Sequence, residues 1–221
     1  MTVSWAVHEW RASAQEIHGR DLLAFAPGHA AWFLEASAPA LVLGSTQPAV
    51  VGGGVGVVRR RSGGGAVLVG DGACTWLDLV IPRTSPLWDD DVGAAMHWVG
   101  TVWAAALGDL GVAATVHRGA LRHSEWSRAV CFAGLGPGEV VDAEGRKVVG
   151  VAQRRTRAGA RFQTVAYHQG PIERIVELLD LGADGRRAAA ELTATTAIAA
   201  VNSVALRSQL VANLPNLPNL P

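Results

Sequence analysis

The 221-residue sequence predicts an α+β fold, in which a mixed, mainly antiparallel sheet packs against helices. Short apolar runs alternate with glycine- and proline-bearing turns, a pattern that favours hairpins over long crossovers. Residues 89–110 repeat apolar side chains at helical spacing, and two more helical segments follow Pro171. Because 49% of the residues are apolar, the chain can build a substantial core. We expect a single domain over residues 1–212.

The first third of the chain is predicted to form one helix and then a series of strands. The helix is expected over residues 8–25. The strands are bounded by Gly, Pro and Ser, and the last of them closes at Pro82. They are expected at residues 31–37, 40–47, 54–61, 65–69 and 74–82.

The remainder is predicted to form a helix, an antiparallel meander and two closing helices. Three aspartates at residues 89–91 suit the start of the helix over residues 89–110. Proline at every third position of the final NLPNLPNLP forbids a helix, so residues 213–221 are expected to be an extended tail. Meander strands are expected at residues 128–134, 138–143, 147–155 and 161–169, and helices at residues 172–180 and 186–212.

Charge and cysteine content exclude several classes of protein. Lys+Arg and Asp+Glu are equal at 19 each, so the chain lacks the basic excess of a nucleic-acid-binding protein. Two cysteines give no disulfide framework, which favours a reducing cytoplasm. No signal peptide, convincing membrane span or metal-ligand spacing is visible. We therefore expect a cytoplasmic protein without a bound metal of its own.

The stretch RRRSGGGAV, residues 59–67, is the first candidate site. Gly63, Gly64 and Gly65 remove side chains where backbone must bend or a ligand must approach closely. Guanidinium groups beside bare backbone N–H groups would make a seat for a phosphate or a carboxylate. A plain hairpin turn is the alternative interpretation.

Lys147 and Cys131 are the next candidates. Lys147 is the only lysine among the 19 basic residues, and a compact ammonium can direct one positive charge at one oxygen. Cys131 is either a small buried apolar residue or a thiolate nucleophile, and the meander would bring it near Lys147. His168 follows a predicted strand and is a candidate for the rim of a site.

Two motifs in this order resemble the lipoate–protein ligase family, whose signatures are an RRxSGGGAV loop and a GxKxxGxAQ strand. The matching stretches are RRRSGGGAV and GRKVVGVAQRR, separated by about eighty residues. Further matches span roughly residues 30–170, namely LVLGSTQ (41–47), CFAGLGPGEV (131–140) and residues 168–170. The resemblance implies the catalytic-domain fold shared by biotin and lipoate ligases.

The resemblance also implies a chemistry, which is transfer of a lipoyl or octanoyl group to a lysine of a lipoyl domain. In the ligases the acid is activated with ATP and Mg²⁺ to an acyl-adenylate. Lys147 would then lie against the carbonyl and phosphate oxygens, where charge develops. Acceptors would be lipoyl domains of 2-oxoacid dehydrogenase complexes or the glycine cleavage H protein. Substrate-binding residues carried over by position are Arg59, Arg60, Ser62, Gly63, Gly64, Gly65, Ala66, Gln47, Gly150, Ala152 and His168.

Three alternatives stay open at this point. Transferases of the same fold use no ATP and take the acyl group from acyl carrier protein through a cysteine thioester, which would make Cys131 the nucleophile. Many ligases use a further small domain or a separate accessory subunit for adenylation, which this chain would then recruit. Val69 stands where ligases usually have histidine, and this departure motivates a non-catalytic, acyl- or lipoyl-domain-binding member.

Overall fold

The computed structural model describes residues 4–25, 28–48 and 53–216. Two sheets form the framework. The larger has the strand order β1-β2-β6-β10-β9-β8-β7, and the smaller has the order β4-β3-β5. The strands are β1 (Ala6–Ala12), β2 (Ala30–Ala36), β3 (Ala40–Leu43), β4 (Gly56–Arg59), β5 (Val67–Val69), β6 (Cys74–Pro82), β7 (Ala114–Val116), β8 (Val140–Asp142), β9 (Lys147–Arg155) and β10 (Gly159–Tyr167).

Strand directions confirm the mixed, mainly antiparallel sheet. β1 and β2 are parallel, as are β3 and β4, whereas the other neighbouring strands are antiparallel. The helices are α1 (Ala14–Gly19), α2 (Leu22–Phe25), α3 (His97–Asp109), α4 (Ile172–Leu179), α5 (Gly185–Thr195) and α6 (Ser203–Ala212). None of these described helices is long and apolar enough to span a bilayer.

The large sheet is buried on both faces, and the alternation of β6 shows how. Successive side chains of a strand point to opposite faces. Leu77, Leu79 and Ile81 pack in one core with residues of α3 and α6. Trp76 and Val80 pack in the other core with residues of the small sheet, α1, α4 and α5. The domain is therefore layered, and the loops that join the two sheets lie on the second face.

A buried ion pair ties this second face to the N-terminal helix. Arg161 on β10 donates from Nε to Oδ2 of Asp78 at 2.6 Å, and Trp76 Nε1 donates to Oδ1 at 2.8 Å. Burial raises the pKa of the Asp78 carboxyl, and the Arg161 charge acts against that rise. The same guanidinium donates to the carbonyls of Ile17 and Arg20 at the end of α1. Each charge is thus compensated where water is excluded.

His18, on α1, is a second buried titratable group on this face. Its ring stacks on Trp76 with centroids 5.0 Å apart, and its Nδ1 lies 3.4 Å from Gln163 Nε2. Burial, helped by the charges of Arg161 and Arg60, lowers the pKa of His18 from 6.5 to about 3. The folded protein therefore holds this imidazole neutral at pH values where an exposed histidine is protonated.

The free energy of unfolding is expected to fall as pH drops from 6.5 towards 3, because only the unfolded chain protonates His18 there. The expected slope is at most about 1.4 kcal/mol for each pH unit, with stability rising as pH rises. Urea unfolding at a series of pH values measures it. His18→Gln removes this titration and should flatten the slope. Equal slopes in the two proteins would contradict the interpretation.

Strands β2, β6, β9 and β10 and helix α4 confirm the sequence predictions within one or two residues. The helix over residues 8–25 is wrong at its start. Residues 6–12 form β1, which pairs with the distant strand β2, and such pairing leaves little local signal. The helix begins only after Ser13, whose hydroxyl accepts from Glu16 N in a capping box.

Other element predictions need correction. Residues 128–134 are not a strand: they hold a turn and the 3-10 helix Cys131–Ala133. The helix over residues 186–212 is broken into α5 and α6, because the segment between them bonds along the sheet, with Ala197 N donating to Lys147 O. Strand 40–47 ends at Leu43, α3 begins at His97, and β7 was not predicted. Of the predicted tail, residues 217–221 lie outside the described residues.

Candidate active site

Lys147 is the first residue of β9, and its ammonium is held by three acceptors. Nζ donates to Cys131 O at 2.8 Å and to Gly134 O at 3.0 Å, and it pairs with Glu139 Oε1 at 2.6 Å. An ammonium has three donors, so all are engaged. The side chains of Lys147 and Glu139 are 4% and 6% exposed, so the pair is shielded from water. The charge is fixed in place and compensated.

Glu139 also fixes the backbone on both sides of this lysine. Its Oε2 accepts from Gly136 N at 2.7 Å, and its Oε1 accepts from Val151 N at 3.1 Å. One carboxylate therefore ties the turn before β8 to the middle of β9. Sequence reasoning missed Glu139 as a site residue, although it lies in the stretch CFAGLGPGEV that carried the family resemblance.

The glycine triplet forms a tight bend between β4 and β5. Gly64 has φ +94°, a conformation that L side chains rarely adopt. A methyl group at Gly65 would overlap the backbone of Val130 and lie 2.7 Å from Cys131 N. Within the described chain, the N–H groups of Gly63, Gly64 and Gly65 donate to no protein acceptor. The bend thus presents three unused backbone donors, a feature typical of oxyanion and phosphate sites.

The neighbouring arginines shape the bend rather than facing a ligand. Buried Arg60 donates to Gly63 O at 2.7 Å, to Gly65 O at 2.8 Å and to Val42 O at 3.3 Å. Arg59 Nη1 donates to Gly44 O at 2.8 Å and to Gln47 O at 2.6 Å. The expected anion seat of guanidinium groups is therefore corrected: the arginines hold carbonyls, and backbone N–H groups are the donors left for an anion.

A short backbone ladder joins the bend to the segment that carries Cys131. Ala66 N donates to Ala129 O at 2.8 Å, and Cys131 N donates to Ala66 O at 3.0 Å. Gln47 reinforces it, with Nε2 donating to Ala129 O at 2.9 Å. The Lys147 ammonium donates to the carbonyl of Cys131. The bend is thus connected to the Cys131 segment, and that segment to Lys147, through main-chain groups of residues 66, 129 and 131.

These elements surround an open cleft of about 800 Å³, within the size range of small-molecule sites. The glycine bend and Lys147 both line it, so the two sequence motifs meet at one cavity. The lining residues are Thr46, Gln47, Pro48, Gly63, Gly64, Gly65, Val92, Met96, Leu121, His123, Ser127, Arg128, Cys131, Gly134, Gly136, Pro137, Glu139, Lys147, Val151, Ala152 and Gln153.

A smaller inner pocket of about 40 Å³ adjoins the cleft. Cys131, Val151 and Ala152 line both cavities, so they mark the junction between them. Its walls are mainly apolar, with five valines, and the full set is His18, Val42, Arg60, Val67, Val69, Trp76, Cys131, Gly150, Val151, Ala152, Gln163, Thr164 and Val165. This composition suits the end of an aliphatic chain.

Cys131 lies at the junction with a buried positive charge beside it. Cys131 and Arg60 both line the inner pocket. Burial lowers the pKa of the Arg60 guanidinium, and the Cys131 and Tyr167 side chains act against that. Cys74, by contrast, lines neither the cleft nor the inner pocket, and burial raises the pKa of its thiol to about 12.

The remaining predicted site residues divide into three groups. Gln47 and Ala152 line the cleft, and Gly150 lines the inner pocket. Ser62 supports the bend from behind, with its hydroxyl donating to Gln163 Oε1 at 2.8 Å. His168 is not among the described residues that line either cavity. Its ring nitrogens bond to Thr75 Oγ1 and Ala199 O, so it ties β6 to the segment before α6.

Sequence reasoning also missed Gln153, which lines the cleft next to Ala152. Both polar atoms of its side-chain amide are buried without a hydrogen-bond partner in the described chain. Such an amide offers the N–H donors of its NH₂ group and a carbonyl oxygen acceptor to a ligand. No cluster of three or more His, Cys, Asp or Glu side chains that would hold a metal ion occurs among the described residues.

The fold defines the class of protein first. The structure of an archaeal bipartite lipoate protein ligase and its E2 lipoyl domain, from Thermoplasma acidophilum, matches with TM-score 0.74 at 14% identity, over 96% of this chain and 82% of that chain. A lipoate-protein ligase A bound with ATP gives 0.68 at 15%, over 96% and 84%. The Plasmodium falciparum protein LipL1 in complex with lipoate gives 0.61 at 12%, over 95% and 59%. The domain therefore has the lipoate-ligase fold.

The family follows from the sequence itself. The sequence model of the lipoyl protein ligase A/B catalytic domain matches residues 5–194. The chain belongs to this family. Comparison with curated proteins found no match.

Proposed function

We propose that this protein attaches a lipoyl or octanoyl group to a lysine of a lipoyl domain, by way of an acyl-adenylate. One observation carries the proposal: the unused N–H groups of the glycine bend and the ammonium of Lys147 line the same cleft. Attack of an amine on an activated carboxyl builds negative charge on the carbonyl oxygen. Fixed donors and a fixed cation around that oxygen lower the barrier.

The inner pocket accounts for the rest of the acyl substrate. An aliphatic tail that passes Cys131 enters the valine-lined pocket, and its carboxyl end stays in the cleft near Lys147. All three donors of Lys147 are engaged, so a substrate oxygen must replace the carbonyl of Cys131 or Gly134 as an acceptor. Glu139 keeps the ammonium in position during this exchange.

The cleft also has the features that an adenylate requires. Its volume of about 800 Å³ accommodates a nucleotide joined to an acyl chain. The bend offers N–H donors for phosphate oxygens, and Arg128 adds a cation to the lining. ATP would supply an adenylyl group to the carboxyl group with release of pyrophosphate, and AMP would leave when the acceptor amine attacks. Since no group of side chains suited to hold a metal ion occurs among the described residues, Mg²⁺ would be held through phosphate oxygens and water.

A second candidate is an ATP-independent transferase, and the position of Cys131 favours it. The Cys131 thiolate would attack the thioester of an acylated carrier protein, releasing the carrier thiol and forming an acyl-enzyme. The amine of the lipoyl-domain lysine would then attack this thioester, and Cys131 would leave as the thiolate. Cys131 lines both the inner pocket, together with Arg60, and the open cleft, and such an intermediate would form at this junction.

Intact-mass analysis of an apo lipoyl domain distinguishes the two routes. The domain is incubated with the protein and either lipoate with ATP and Mg²⁺ or an octanoyl carrier protein. For the ligase route, Cys131→Ala is expected to retain most of the ATP-dependent modification, because its sulphur takes no part. Cys74→Ala is the matched control, since that buried thiol lies outside the cleft.

The opposite result assigns the second candidate. Loss of modification in Cys131→Ala but not in Cys74→Ala, with an acyl adduct on the wild-type chain that hydroxylamine removes, would overturn the ligase route. No modification from either donor, with or without an accessory subunit, would overturn both and leave a binding protein.

A further inference from the structure

One edge of the cleft is formed by a positively charged segment, of which Leu121, His123, Ser127 and Arg128 line the cavity. Residues 117–128 contain three arginines and a single acid, Glu125. Both oxygens of Glu125 are taken by Arg187 on α5, at 2.8 and 2.9 Å. Arg187 thus neutralises Glu125, and no acidic side chain within the segment is left to compensate its three arginines. The three arginines, Arg118, Arg122 and Arg128, are called the basic rim.

The charges of the basic rim are exposed to solvent. Arg118 makes one long contact, to Thr101 Oγ1 at 3.4 Å. In the described part of the chain, Arg122 and Arg128 form no side-chain hydrogen bond or ion pair. All three side chains are exposed; Arg128 lines the cleft, and Arg118 and Arg122 add positive charge to the same segment beside it.

Two exposed apolar side chains also line the cleft, one of them next to the basic rim. Leu121 is 53% exposed and packs beside Gly136, and Val92 is 56% exposed and follows on next to Gly93 and Pro137. Both residues line the cleft. Leu121 borders the basic rim, whereas Val92 directly follows the exposed aspartates Asp89, Asp90 and Asp91. An exposed apolar side chain bordered by charges of one sign, as Leu121 is, is typical of a protein docking surface.

The depth of Lys147 in the cleft determines which kind of partner must cover this surface. Lys147 is 4% exposed at the floor of the cleft, so an acceptor amine must enter on an extended lysine side chain. The folded domain that carries that lysine then has to rest on the cleft mouth. The uncompensated positive charges of the basic rim favour a partner with negative charges around its target lysine.

We propose that the basic rim, with Leu121, docks the lipoyl acceptor domain through an acidic surface surrounding the lysine to be modified. This inference rests on the proposed function for the choice of partner. The arginines steer and align the domain, and Leu121 buries against it. The contribution of Arg118 and Arg122 is to binding rather than to the chemical step, because neither lines the cleft that holds Lys147.

Binding of an apo lipoyl domain of a 2-oxoacid dehydrogenase complex, chosen for acidic residues around its lysine, tests the proposal. The double variant Arg118→Glu/Arg122→Glu is expected to weaken the Kd at least tenfold and to reduce its salt dependence. Arg157→Glu/Arg186→Glu is the matched control. It changes the net charge equally, at exposed positions without an ion pair in the described chain, and it leaves the basic rim intact.

Turnover separates this inference from the proposed function. The rim variant is expected to raise KM for the lipoyl domain and to leave kcat near the wild-type value. Lipoyl domains with their acidic residues changed to lysine should bind the rim variant better than the wild type. Equal Kd values for the rim and control variants, or no binding of the domain by the wild type, would overturn the proposal. An effect confined to an acidic acyl carrier protein would also overturn it. Binding without any acyl transfer would instead count against the proposed function alone.

Discussion

Replacing Lys147 with alanine is expected to lower kcat/KM for acyl transfer by about 10³-fold, the upper range for loss of one oxyanion donor. That corresponds to about 4 kcal/mol of transition-state stabilisation. The effect should lie in kcat, because the charge acts on the oxygen that becomes negative during attack. Lipoyl-domain modification under single-turnover conditions measures it.

The control has to separate chemistry from folding. Lys147→Ala leaves Glu139 as an uncompensated buried charge, which typically costs about 3–5 kcal/mol of stability. Lys147→Met/Glu139→Gln removes both charges and keeps side-chain volume, so it should unfold close to the wild-type denaturant midpoint. A folded double variant that retained a tenth of wild-type activity would show that Lys147 is not part of the chemistry.

Gly65→Ala is expected to lower activity by about 10²-fold, because its methyl group would displace the bend from the Cys131 segment. The methyl would overlap the Val130 backbone, and backbone atoms cannot rotate away as a side chain can. A misplacement of about 1 Å in a catalytic site is enough for a loss of this size. Overpacking should also destabilise the fold by about 1–3 kcal/mol.

Thermal unfolding and transfer assays on matched glycine variants check this result. At Gly170 a methyl group would meet no atom within 4 Å, and this residue lies outside the cleft, so Gly170→Ala should behave as wild type. Gly63→Ala serves as a second stability control, since open space surrounds its methyl position as well. Normal activity in Gly65→Ala would mean that the contact between bend and Cys131 segment has no catalytic consequence.

The parts of the fold that could be predicted are those whose signal is local. Strands β6, β9 and β10 are apolar runs closed by proline or glycine, and α4 has apolar residues on one face. The failures share a cause in distant partners. β1 exists because β2 pairs with it, and residues 128–134 follow the glycine bend through the Ala66–Val130 bridge instead of extending a meander.

Prediction of the site divides in the same way. Lys147 and the glycine triplet were found because residue type alone marks them, as the only lysine and as the only run of three bare backbone positions that follows arginines. Glu139 was missed because its importance depends on which cation it meets, and that is a property of the fold. Arg60 was assigned to a ligand because its carbonyl partners, Val42 among them, cannot be read from sequence.

The ladder between Ala66 and the Cys131 segment has an experimental consequence. It uses only main-chain N–H and C=O groups, and the Lys147 ammonium also binds residue 131 through its main-chain carbonyl. Exchanging the thiol for a methyl group or a hydroxyl therefore leaves the wall architecture untouched. Any change of reactivity after such an exchange therefore reports on the sulphur atom itself. Substitutions at position 131 can thus distinguish which acyl donor the protein uses.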